Sequence, residues 1–162
     1  MPVANEAVQT AFTFQKCAEI LNKSIAGLTP EEWLRQPGER ANHLLWIVGH
    51  VIWTRSIILK LLGTEWTRPW LGLFGRGAKL EDATHYPSPA EIAQAWQEME
   101  TALNAAFEKA TPAALSAPAP ERIPTLDGKL SGTLAFLAFH ESYHAGQAAY
   151  LRTWLGHEGV AG

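Results

Sequence analysis

Two of the chain's six histidines stand four residues apart, in His140-Glu141-Ser142-Tyr143-His144. On an α-helix that spacing turns about 40° and rises one turn. Both imidazoles therefore leave the same side, and each can give one nitrogen to a metal at roughly 2.0–2.1 Å. Phe136, Leu137, Gln147 and Leu151 share the stripe that carries them, and that stripe should face inward. Two histidines on an inward face are costly unless they are hydrogen-bonded or bound to a metal. A lone histidine there reads as a satisfied core residue, whereas a pair one turn apart favours ligation.

The same five residues fit His-Glu-x-x-His, the zinc-protease pattern in which the glutamate is the general base. One extended form of that pattern wants glycine where Gln147 stands and histidine where Tyr150 stands. Another wants an acid on a further helix, and Glu158 is the one acid after His144. The protease reading fails for want of a third ligand, although Glu141 stays as the candidate catalytic base of another metal site. The third ligand must come from upstream, from His43, His50 or His85. His50 lies mid-helix on an inward stripe with Trp46, Ile47, Trp53 and Ile57. His43 lies seven residues earlier, about 10 Å along a helix axis, so it cannot share an ion with His50. It reads as a rim or capping residue. His85 precedes Tyr86-Pro87 in a loop, and His157 follows Gly156 and reads as solvated. The favoured metal set is His50, His140 and His144. Three imidazoles with one open position is a usual catalytic zinc arrangement, although nickel, copper or iron suit them too.

Four long helices are expected to position these residues. The first runs from about Glu6 to Ala26, with Phe14, Cys17, Leu21 and Ile25 on one stripe. Thr29-Pro30-Glu31-Glu32 is a capping-box start for a short turn of helix that stops near Pro37-Gly38. The second long helix spans about Ala41 to Leu62, ended by Gly63. Thr64 to Pro87 is a long irregular connection, often a functional feature, and it is expected to fold over one end of the bundle. Ser88-Pro89-Ala90-Glu91 is another capping box and starts a helix to about Ala110. Prolines 112, 118, 120 and 124 then keep the chain extended or turning. The last helix runs from about Ser131 to Leu155, closed by Gly156. Long amphipathic helices with no alternating strand pattern point to an all-α four-helix bundle.

The 162 residues suit a single domain, 1–162, and 47% of them are hydrophobic, enough for a core without disulfides or a structural metal. Thirteen basic against sixteen acidic side chains give a net charge of −3, with no basic cluster, so no nucleic acid is expected as partner. The N-terminus does not read as a signal peptide, and no apolar stretch reaches the roughly 20 residues that span a bilayer. With one cysteine, Cys17, and so no internal disulfide, the expected location is cytoplasmic and no membrane is expected as partner. Cys17 itself reads as a buried helix residue.

His50 within Leu44-Leu45-Trp46-Ile47-Val48-Gly49-His50-Val51-Ile52-Trp53, and later His140-x-x-x-His144-Ala145-Gly146-Gln147, together resemble the DinB-like (YfiT-like) metalloenzymes. The resemblance covers nearly the whole chain. It implies a four-helix bundle in up-down-down-up order and a divalent metal, commonly zinc or nickel, on His50, His140 and His144. The family's last motif usually reads His-Arg-Gly-Gln. Ala145 replaces the arginine here, while Gly146 and Gln147 stand. Gln147 is placed to hydrogen-bond a ligand histidine.

The family includes transferases and isomerases that use small thiols, so the resemblance implies a metal-dependent thiol transferase acting on a small-molecule substrate. Trp46, Trp53 and Trp66 or Trp70 would wall its pocket, and Arg68 and Arg76 could meet an anionic substrate. The alternative is a non-catalytic, stress-related metal-binding module whose bundle serves as a homodimer.

Overall fold

Helix starts and stops follow from local chemistry. In the computed structural model, which describes residues 3–160, α1 spans Val8–Ile25 after a short 3-10 turn and buries Phe14, Cys17, Ala18 and Leu21. Positions 1, 2, 161 and 162 of the expected domain lie outside the described residues. Thr29 caps α2 (Pro30–Leu34): its hydroxyl accepts from the Glu32 N–H, and its own N–H donates to the Glu32 carboxylate at 2.8 Å. His43 begins α3 (Leu44–Leu61), because its Nδ1 accepts the Trp46 N–H at 3.0 Å. That is the capping role its position suggested, and it starts the helix three residues later than Ala41.

The expected capping box at Ser88 opens α4 (Pro89–Lys109). A further turn, α5 (Pro112–Leu115), forms where the prolines suggested extended chain. Thr111 explains it, since its hydroxyl accepts the Ala114 N–H and Pro112 fits the first helical position. The last helix, α6, spans Leu130–Trp154. Gly63 and Gly156 follow α3 and α6 with φ of 84° and 94°, the left-handed conformation that ends a helix and favours glycine.

Every residue from Leu44 to Ile52 is buried, so this stretch of α3 is covered all round and forms the centre of the fold. By length and composition α3 could cross a membrane, with a mean hydropathy of 1.5, but 78% of it is covered by the other elements, as a core helix is. It packs on α4 and α6, while α1 packs on α6. Among the described residues no strand forms, only an isolated bridge between Pro118 and Lys129.

Contacts at and between the element ends tie the helices together. Arg152, near the end of α6, donates at 2.8 Å to the carbonyl of Ala26, just past the end of α1. Tyr86, just before α4, meets the ring of His43, which caps α3, edge-on at 5.4 Å. Phe14 of α1 meets Phe107 of α4 at 5.7 Å, and Asn22 bonds Trp96 Nε1–H at 2.7 Å.

Inside this frame α3 and α6 are pinned by a buried ion pair. Arg55 donates from Nε and Nη2 to the two oxygens of Glu141, at 2.9 and 2.6 Å, with side chains 2% and 1% exposed. Its Nη2 also reaches the Phe14 carbonyl at 3.2 Å, and its guanidinium lies 4.3 Å from the Trp96 ring.

Candidate metal centre

Opposite helices bring the three favoured histidines together. His50 stands on α3, where Trp46 and Trp53, one turn to either side, stack on its ring at 4.8 and 5.5 Å. His140 and His144 stand one turn apart on α6. Their Nε2 atoms are 3.2 Å apart, and His140 Nε2 lies 3.3 Å from His50 Nε2. One ligand nitrogen from each ring lies within 4.8 Å of the other two. A tetrahedral ion with bonds of 2.0–2.1 Å sets its ligands about 3.3 Å apart, so the two spacings through His140 match tetrahedral edges.

The outer nitrogens decide which ones face the centre. His50 Nδ1–H donates to the Phe74 carbonyl at 2.7 Å, which leaves Nε2 as a bare lone pair. His144 Nδ1–H donates to Gln147 Oε1 at 2.8 Å, with the same consequence. Gln147 in turn donates to the Tyr143 hydroxyl at 3.1 Å. The hydrogen bond between Gln147 and a clustered histidine, expected from the sequence, is present. His140 Nδ1 is buried without a hydrogen-bond partner. A neutral His140 has one proton, which can at best be shared between two facing lone pairs. A divalent cation satisfies all three nitrogens at once, so the residues fit a metal.

Electrostatics keep the rings in the ligating form. Burial lowers the pKa of His50, although the Phe74 bond opposes it. His140 is lowered by burial and then by the charges of His50 and Arg76. His144 falls to about 4, through burial and then its two partners. All three are neutral at pH 7, the state a metal needs.

The chain belongs to the DinB superfamily. The sequence profile of that superfamily matches residues 13–148, which takes in all three histidines. No curated protein matches the chain.

The other sequence candidates are placed elsewhere. His43 caps α3, and exposed His85 lies 3.5 Å from Glu81. His157, expected to be solvated, is half-buried and bonds Glu32 at 2.8 Å. Glu141 points into the core rather than lying at the cluster, and both its oxygens are held by Arg55. Burial pushes its carboxyl pKa up, and the Arg55 guanidinium pulls against that. Trp46 and Trp53, expected to wall a pocket, stack on the His50 ring. Trp66 meets Arg68 at 4.5 Å, and Trp70 meets Phe74 edge-on. Arg68 pairs with Glu98, while Arg76 is exposed with its charge felt at His140. Cys17 is buried, 3.4 Å from the Ser142 hydroxyl, and burial raises its pKa.

Sequence reasoning missed the Phe74 carbonyl and the Arg55 partner of Glu141. A backbone acceptor leaves no side-chain signal. An arginine inside an otherwise apolar helix, five residues after His50, was the visible clue to the second.

Proposed function

We propose that this protein binds one divalent ion, zinc or nickel, on His50, His140 and His144, and uses it as a thiol transferase acting on small molecules. The convergence of three Nε2 atoms, two of them bare lone pairs held by hydrogen bonds behind them, carries the metal reading. A bound divalent ion would lower the pKa of a small thiol, so that thiolate forms near neutral pH. The chain's own residues supply the setting. Trp46 and Trp53 sheathe His50, and partly exposed His140 marks the side open to solvent. Arg76, near His140, would offset the charge of an anionic ligand.

Four long helices in up-down-down-up order accompany this reading. The Arg152–Ala26 contact supports α1 and α6 running the same way, and the Tyr86–His43 contact supports the same for α3 and α4. A cytoplasmic location fits a site that handles a reduced thiol.

Elemental analysis of untagged protein, purified without added metal, tests the first half. About one zinc or nickel per chain is expected, and none in His144→Ala. A folded wild type that takes up no divalent ion overturns it. Turnover of an electrophile with added small thiols tests the second half. The rival reading is a non-catalytic, stress-related homodimer, and exposed Phe12 and Phe139, 52% and 70% accessible, are the surface that favours it. Metal-loaded protein that dimerises and turns over no thiol would decide for the rival.

A further inference from the structure

Gly49 is a glycine in the middle of the most buried helix of the fold, directly before His50. Glycine in a helix interior is less favourable than alanine, so a packing reason is expected. The structure supplies one. A Cβ built on Gly49 would meet Phe74 Cδ1 and Cε1 at 2.4 Å and Cγ at 2.6 Å, distances that no packed carbon tolerates. The Phe74 ring therefore rests on the bare backbone of α3. It is 0% exposed, clamped between that backbone, Tyr86 at 5.3 Å and the edge of Trp70 at 5.7 Å.

The carbonyl of this same residue accepts the His50 Nδ1–H. Ring seat and acceptor thus belong to one residue, near the middle of the Thr64–Pro87 connection. Ring and acceptor share one Cα, so a displacement of the packed ring that its side-chain torsions cannot absorb moves the acceptor.

We infer that Gly49 and Phe74 are positioning residues for the metal centre. The seat at Gly49 fixes the connection at the one height where the Phe74 carbonyl sets the proton and the direction of His50. The long connection then completes the site instead of merely covering it. This rests on the metal reading of the three histidines. Orienting acceptors behind metal-bound histidines typically change affinity by about 10–100-fold.

Co2+ binding, followed by its visible absorption, tests the inference. Gly49→Ala is expected to weaken Co2+ binding about 10–100-fold and to alter the band shape, with the far-UV dichroism of wild type. Phe74→Ala removes the ring that a new methyl would strike. In that background the same Gly49→Ala change is expected to alter affinity less than about threefold, since its effect runs through the ring. Wild-type affinity and band shape in a folded Gly49→Ala, or an equal loss in both backgrounds, would overturn the inference. NMR of wild type gives a readout independent of any variant. A slowly exchanging His50 Nδ1–H resonance is expected with or without metal, and its absence in both states overturns the inference. A folded wild type that takes up no Co2+, yet shows that resonance, separates the two claims: the metal reading falls and the Phe74–His50 bond stands.

Discussion

Glu141→Gln removes one charge from a pair that the fold seals almost completely. Arg55 and Glu141 are 2% and 1% exposed, and their bonds run at 2.6 and 2.9 Å. At an effective dielectric constant of 20, two unit charges about 4 Å apart attract by about 4 kcal/mol. A glutamine leaves the arginine charged and buried. Breaking such a pair on one side typically destabilises by 3–5 kcal/mol. The Phe14 carbonyl and the Trp96 face still hold the guanidinium, so about 3 kcal/mol is the expected loss. For a chain of this length that lowers the melting temperature by about 6–12 °C. Urea unfolding of chelator-treated protein, read by far-UV dichroism, measures it. The double variant Arg55→Met/Glu141→Met is expected to recover most of the loss, because two apolar side chains leave no buried charge. Glu141→Gln within 0.5 kcal/mol of wild type, or a double variant as unstable as both single losses together, would refute the reasoning. Folded Glu141→Gln is expected to keep its metal affinity within about threefold, since both oxygens belong to Arg55 and not to the histidine cluster.

His43 provides a pH handle away from the metal. Burial lowers its pKa from 6.5 to about 4, so the folded state holds it neutral while the unfolded chain takes up a proton. Its contribution is complete above pH 6.5 and is lost as pH falls towards 4, reaching about 2 kcal/mol by pH 5. His43→Asn keeps a capping oxygen and removes the titration. Urea midpoints of metal-free protein at pH 8 and pH 5 should fall further for wild type than for the variant by that amount. Equal pH slopes would count against a neutral, buried His43. Burial holds the three clustered histidines neutral below the ordinary histidine range, so acid should release zinc only at a pH well under 6.5, and the zinc-induced shift of the same curves should shrink only there. Gln147→Leu removes the acceptor of His144 Nδ1–H and is expected to weaken zinc binding about 10–100-fold, measured by competition with a chelator. An unchanged affinity would make Gln147 a bystander.

Local chemistry made much of this protein legible in advance. The capping boxes at Thr29 and Ser88, the glycines at 63 and 156, and the apolar stripes depend on neighbours within one or two turns. Those neighbours are present in the sequence itself. The one-turn spacing of His140 and His144 is likewise local, and it put both rings on one side of a helix. That His50 joins them was narrowed by elimination, because only it sat mid-helix on an inward stripe. Three things were decided by tertiary structure. Glu141 follows His140 directly, yet a 100° step around α6 swings it into the core, where Arg55 of another helix claims both oxygens. Phe74 offers His50 a carbonyl, a group every residue has, so its selection depends on where the connection lands. Gly49 marks that landing place, and its meaning appears only once a ring from 25 residues downstream rests on it. Sequence fixes which faces and termini a chain can make; the long-range approach of α3, α6 and the connection fixes which atoms meet.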